Sequence, residues 1–178
     1  MKIYQSLLYC IITIFFIQCY SAEFHDSTKN VVEQYQCTPC GSECDKATFD
    51  EPGKCPDCKM DLVKSSTIQF TTIQPFELCR YISQHPDVVL LDVRTVEEFN
   101  GNAKPGYGRI KNAINIPIQE LEKNPSIIDS LKNNDIIVYC SHSRRSPRAS
   151  YILNQQGFKN VKNLAGGMSV FTDKSCQQ

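Results

Sequence analysis

Apolar residues in this chain come in short blocks separated by polar and turn-forming stretches. Val88-Val89-Leu90-Leu91 and Ile136-Ile137-Val138-Tyr139 are continuous apolar runs, the pattern of strands buried on both faces. Residues 68–73, 113–116 and 161–164 read as further short strands, the second stopped by Pro117. Helical stretches fall between them. Pro75 opens one, with Phe76, Cys79 and Ile82 at helical spacing and an end before Pro86, so Cys79 is expected as a buried core thiol. Residues 96–99, 127–131 and 144–156 read as the others, the last closed by Gly157. This alternation predicts a parallel α/β sheet flanked by helices.

The first 65 residues follow a different pattern. Met1-Lys2 gives a positive start, and an apolar core runs from Leu7 to Ile17, broken by Thr13. It is shorter than the roughly 20 residues a membrane span prefers, and has the proportions of a secretory signal peptide over residues 1–22. Cleavage near Ser21 or Ala22 suits the small-residue requirement. Phe16-Ile17-Gln18-Cys19 resembles a lipoprotein box, which would leave an acylated Cys19 at the mature N-terminus; an uncleaved anchor helix is the alternative. The leader implies an exported protein, periplasmic or lipid-anchored in a bacterial envelope, with membrane attachment through the leader or Cys19. A polar linker follows at 23–34.

Composition sharpens the picture at two points. Nineteen basic and nineteen acidic residues cancel, which argues against nucleic acid as a partner, since phosphate neutralisation needs a basic surplus. Ten cysteines are many for 178 residues, and five of them fall between 37 and 58. Cys37-x2-Cys40 and Cys55-x2-Cys58 form two knuckles, with Pro39, Gly41, Pro52, Gly53 and Pro56 supplying the turns. Each knuckle can aim two sulfurs at one point about 2.3 Å away, and the pair completes a tetrahedron. The other reading is one or two disulfides. Cys44 is a fifth thiol that substitutes for a ligand, pairs with Cys176 or has no role. A module over residues 35–64 is too small for a core of its own, so a metal would supply folding energy rather than catalysis.

In an open α/β sheet, ligands bind beyond the carboxyl ends of the strands. Two predicted strand ends carry chemistry: Asp92-Val93-Arg94, and Cys140 followed by Ser141-His142-Ser143-Arg144-Arg145-Ser146. A cysteine entering a helix start meets converging N–H groups and the helix dipole, which favour its thiolate. Arg144 and Arg145 add positive charge.

Two resemblances follow from these residues. Tyr35 to Val63 resembles the heavy-metal-binding domain found beside bacterial metal-efflux proteins, through Pro52-Gly53-Lys54-Cys55-Pro56-Asp57-Cys58, Met60 and Leu62; Cys40 stands where that family has His and Lys59 where it has Gly. The all-sulfur set implies zinc or another soft metal such as copper(I) at Cys37, Cys40, Cys55 and Cys58. From about Ile68 to Phe171, within a domain at 67–174, the chain resembles the rhodanese (sulfurtransferase) domain. Leu91-Asp92-Val93-Arg94, Glu97-Glu98-Phe99, Gly108-Arg109-Ile110, Ala113-Ile114-Asn115-Ile116-Pro117, Val138-Tyr139-Cys140, Arg145-Ser146 and Gly166-Gly167 carry the likeness. It implies a rhodanese-like sheet preceded by a small zinc-ribbon-like module. By the same resemblance Cys140 carries a sulfane sulfur as a persulfide between a small sulfur donor and a thiol or cyanide acceptor. Arg145 stands at the family's arginine position, residues 141–146 form the loop, Asp92 and Arg94 support it, and no organic cofactor is implied. Arg109 replaces the usual His, Ser143 a frequent Gly and Phe171 a frequent Trp. His142 either tunes Cys140 or faces solvent.

Two other functions fit parts of the chain. Cysteine phosphatase or arsenate reductase chemistry needs a loop with five residues between Cys and Arg, and here there are four. A metal-binding or metal-sensing protein could use the second domain as a scaffold only.

Overall fold

The computed structural model describes residues 33–178. The leader, with its cleavage and lipidation sites, lies outside the described residues, as does most of the linker. Among the described residues no helix is long and apolar enough to cross a membrane.

The cysteine-rich segment is built on a three-stranded antiparallel sheet in the order β2-β1-β3, with β1 at Tyr35–Cys37, β2 at Thr48–Phe49 and β3 at Leu62–Lys64. Its core is sulfur rather than hydrocarbon: Cys37, Cys44 and Cys55 are buried, with Cys40, Cys58, Met60 and Leu62 packed around them. The second knuckle closes through Cys55 N–H to Met60 O at 2.8 Å and Lys59 N–H to Cys55 O at 3.0 Å. Lys59 has φ +64°, a left-handed position that explains the glycine usual there.

The remaining strands, β4 (Thr71–Ile73), β5 (Val89–Asp92), β6 (Ile114–Asn115), β7 (Ile136–Tyr139) and β8 (Val161–Leu164), form one parallel sheet in the order β4-β8-β7-β5-β6. Helices are α1 (Pro75–Gln84), α2 (Val96–Phe99), α3 (Ile118–Lys123) and α4 (Ser146–Gln155). The apolar run of β7 divides by pleat. Ile136 and Val138 face Ile118, Leu121, Ala149 and Leu153 of α3 and α4, while Ile137 and Tyr139 face the side holding Leu78 of α1 and Phe171. Both faces are covered, which is why the run contains no polar residue.

The elements differ from the sequence reading in places. Strand β4 covers three residues of the expected six. The 125–131 stretch is a 3₁₀ helix (Pro125–Leu131). Helix α3 was not expected. Pro117 was read only as a strand stop, yet it also caps a helix whose Ile118 and Leu121, three apart, reach the core. Helix α4 starts at Ser146, not Arg144, with Arg145 as its N-cap and Pro147 in its first turn.

Cys79 is not a core thiol. It forms a disulfide with Cys176, 97 residues away, which ties the C-terminal segment against α1. That bond also removes the pairing of Cys44 with Cys176.

Candidate active site and metal centre

Strands β5 and β7 are neighbours, with Asp92 paired to Tyr139 in register. From β5 the chain goes outward to β6, and from β7 it goes the opposite way to β8, so their carboxyl ends flank the point where the topology reverses. The Cys140 loop leaves the sheet at this point.

Cys140 is 1% exposed, with Sγ 3.5 Å from Ser146 Oγ. Burial alone would push its pKa up. Hydrogen bonds from the Ser146 hydroxyl and from the backbone N–H groups of Ser146, Arg145 and His142 outweigh burial and hold the thiol below its ordinary value. The Ser146 hydroxyl gives the largest lowering, and backbone N–H groups of the loop and of the first residue of α4 add to it.

Arg145 is on the loop as expected, and its charge is shared between Glu98 and the Cys140 thiol. Its guanidinium forks onto Glu98, at 2.6 Å from Nη1 to Oε2 and 2.7 Å from Nη2 to Oε1, and Nη2 also donates to Ser141 Oγ. Ser141 Oγ in turn donates to Glu98 Oε1 at 2.7 Å. Glu98 thus links two loop residues to the first turn of α2. Thr95 prepares it for this: Thr95 Oγ1 accepts the Glu98 N–H, and Glu98 Oε2 accepts the Thr95 N–H. The sequence reading placed Glu98 within a family motif without giving it a role. The signal was the Thr95-x-x-Glu98 capping box near a strand end.

The Arg145 fork and Ser141 together lower the Glu98 carboxyl from 4.5 to about 2, against the opposing effect of burial. A depressed carboxylate contributes stability above its unfolded value and loses it as pH falls through the folded one. The melting-temperature gap between wild type and Glu98→Gln is therefore expected to be full at pH 5–7, to narrow below about 4.5 and to vanish near pH 2. Thermal melts across pH test this; a gap independent of pH would exclude the ion pair as its source.

The other predicted residues divide. Ser143 sits in the left-handed region and receives a 3.0 Å hydrogen bond from Nδ2 of the buried Asn163. His142 is exposed, its Nε2 3.0 Å from the Tyr107 hydroxyl, and it contributes to Cys140 through its backbone. Arg144 points away from the thiol and donates to Ser42 Oγ at 3.2 Å. Asp92 and Arg94 form a buried bidentate pair, and Arg94 Nη2 also donates to Gly108 O at 2.8 Å. They fix the β5 end and the approach to Arg109, and Arg94 lies 5.8 Å from the ring centre of Tyr139, the residue before Cys140. Arg109 stacks on Phe99, 4.6 Å from the ring centre.

Two further contacts hold the loop, both through glycine. Met168 N–H donates to Cys140 O and Ser169 N–H to Ser141 O, which brings Gly167 (φ +65°) against the backbone of Cys140 and Ser141. Gly41 (φ +73°) of the cysteine module lies against Ser143 and Arg144, where a Cβ would come within 2.6 Å of Arg144 Cα. A turn bearing the ligand candidate Cys40 therefore walls the Cys140 loop.

The four sulfurs predicted as ligands are all in the module, together with Cys44. Those of Cys37, Cys40, Cys44 and Cys58 lie within 4.8 Å of one another, while Cys55 groups with Cys44 and Asp57. Burial and neighbouring thiols push Cys44 up to about 12, whereas hydrogen bonds from Cys37 and the Met60 backbone lower Cys58 to about 7. Crowded thiols of this kind share little negative charge until a cation joins them. The donor set fits a soft metal, which would supply cross-linking here and no chemistry at Cys140.

A thiol anion cradle at the end of an inner parallel strand, walled by a sulfur-rich metal module, defines a cysteine-loop α/β protein. The chain belongs to the rhodanese-like family: the rhodanese-like domain model matches residues 77–174, and a heavy metal binding domain matches 34–65. Among curated relatives, a Schizosaccharomyces pombe protein named, provisionally, a mitochondrial thiosulfate sulfurtransferase is 31% identical over 119 residues, covering 62% of this chain and 84% of its own length. A Bacillus subtilis protein named, also provisionally, the sulfur carrier YrkF is 30% identical, covering 62% of this chain and 55% of its own length. A Cytophaga hutchinsonii tRNA uridine(34) hydroxylase is 33% identical, over 54% of this chain and 30% of its own length. A solved rhodanese-like domain protein from Staphylococcus aureus aligns at 28% identity and TM-score 0.49, covering 61% of this chain and 97% of its own.

Proposed function

We propose that the chain is a sulfurtransferase that carries a sulfane sulfur on Cys140. The carrying observation is the position of Cys140 at the end of β7 on the loop into α4, buried with Ser146 Oγ 3.5 Å from its Sγ, where the Ser146 hydroxyl and the loop backbone N–H groups hold the thiol below its ordinary value. With thiosulfate as donor, the Cys140 thiolate attacks the outer sulfur, the S–S bond breaks and sulfite leaves with the electron pair. The persulfide anion is held by the same N–H groups. A cyanide carbon or an acceptor thiolate then attacks the outer sulfur, and Cys140 departs as thiolate. Arg145 adds positive charge beside Cys140 and is oriented by its ion pair with Glu98. The names of the S. pombe and B. subtilis relatives support sulfur transfer or carriage, and the four-residue interval from Cys140 to Arg145 disfavours phosphatase chemistry.

The proposal extends to setting and metal. Zinc or another soft ion would be held by the cysteine module as a structural cross-link. Export to an oxidising envelope compartment is supported by the leader and by the Cys79–Cys176 disulfide, a bond rare in reducing compartments.

Intact mass spectrometry after thiosulfate treatment is the direct test. The wild type is expected to gain one sulfur, mapped to Cys140, and to lose it on cyanide addition; Cys140→Ser is expected to gain none. Alkylation of Cys140 should persist below the pH range of a free thiol, about 8.5. Sulfur retained elsewhere in Cys140→Ser, or a Cys140 that titrates as a free thiol, overturns the reading.

A further inference from the structure

Ligand spacing gives Cys44 no task, and the disulfide has taken the partner it was offered. We propose that Cys44 is a metal ligand shared between two positions, so that the five thiols hold more than one soft monovalent cation of the copper(I) class. This rests on the module being a metal site.

The placement of Cys44 carries the proposal. It lies buried on the 3₁₀ turn Glu43–Lys46, with Sγ 3.7 Å from Cys40 Sγ. Two sulfurs bound at about 2.3 Å to one ion in a trigonal or tetrahedral set stand roughly 4 Å apart, close to this separation. The turn is not free to swing away: the Asp45 carboxylate accepts the N–H groups of Cys40 and Gly41 at 3.0 and 2.7 Å, which fixes Cys40 and Cys44 on one side of the loop. Cys44 is also common to both donor groups, the one with Cys37, Cys40 and Cys58 and the one with Cys55 and Asp57. A thiolate at such a place bridges.

The donor count selects the ion. Two tetrahedral divalent ions sharing one sulfur need more ligands than five thiols provide, whereas copper(I) is satisfied by about two or three soft sulfurs each. Five of the six candidate donors are thiols, Asp57 being the exposed exception, which suits a soft cation over a hard one.

The test is copper(I) titration of the full chain with its cluster thiols reduced, against a chromophoric copper(I) chelator, with ions counted by native mass spectrometry. A Cys140→Ser background removes the thiol of the sulfur loop. At least two copper(I) ions per chain are expected, against at most one in the same background with Cys44→Ser. Peptide mapping after iodoacetamide labelling needs no change at Cys44: its labelling should slow at least tenfold in the copper-loaded protein. A single ion per chain before Cys44 is changed, unchanged stoichiometry in Cys44→Ser, or equal Cys44 labelling with and without copper each overturns the proposal. If neither copper(I) nor zinc(II) binds, the metal module itself is refuted along with it.

Discussion

Gly167→Ala is expected to lower sulfur transfer by roughly 100-fold or more, the scale on which misplacing a reacting group by about 1 Å acts. Gly167 has φ +65°, and a Cβ there would meet Ser141 C and O at 2.8 Å and press on the Cys140 carbonyl. These are backbone atoms of the sulfur-carrying loop, so relief must come from moving the loop itself. Its hydrogen bonds to Met168 and Ser169 N–H would be lost in the movement. Gly157→Ala is the control. Its φ of +88° carries a similar left-handed cost, roughly 1–2 kcal/mol, but nothing lies within 4 Å of the added methyl. It should lower stability and leave transfer unchanged. Thiosulfate-to-cyanide rates for both variants decide the matter: equal rates would show that Gly167 matters only for its backbone angle.

Arg94→Met is expected to destabilise the domain by roughly 3–5 kcal/mol, the cost of leaving one member of a buried ion pair without its partner. Arg94 and Asp92 are 1% and 0% exposed, and the guanidinium also holds the Gly108 carbonyl. Removing both charges should cost much less. Asp92→Asn with Arg94→Met keeps an oxygen to accept the Arg94-position N–H, which Asp92 Oδ1 accepts at 2.9 Å, and buries no net charge. Denaturant midpoints of the single and double variants measure the difference; a double variant no more stable than Arg94→Met would show that Gly108 and packing, not the unpaired carboxylate, dominate.

The Gly167 contact joins residues far apart in sequence, whereas Asp92 and Arg94 stand two apart and only their burial and the Gly108 carbonyl come from the fold. The strand at 136–139 was legible because burial on both faces removes every polar residue from it, and Cys140 because a reactive thiol needs a helix start after a strand. The Ser143 and Lys59 positions were legible as departures from glycine, and the backbone angles supply their reason. The tie of Arg145 to the thiol is legible from its position on the loop, while the carboxylate that shares it stands 47 residues upstream.

Sequence by itself determined the alternation of elements, the loop that carries the nucleophile, and the sulfur-rich character of the first module. Local periodicity, turn chemistry and ligand spacing are properties of neighbours along the chain. Tertiary structure alone decided the rest: the Cys79–Cys176 bond, the Glu98 clamp on Arg145, the entry of Cys44 into the thiol cluster, and the closure of Gly41 and Gly167 onto the Cys140 loop. Each of these joins groups whose separate sequence contexts are unremarkable. What brings them together is burial, which leaves a buried charge, thiol or backbone group dependent on the partners that the fold delivers.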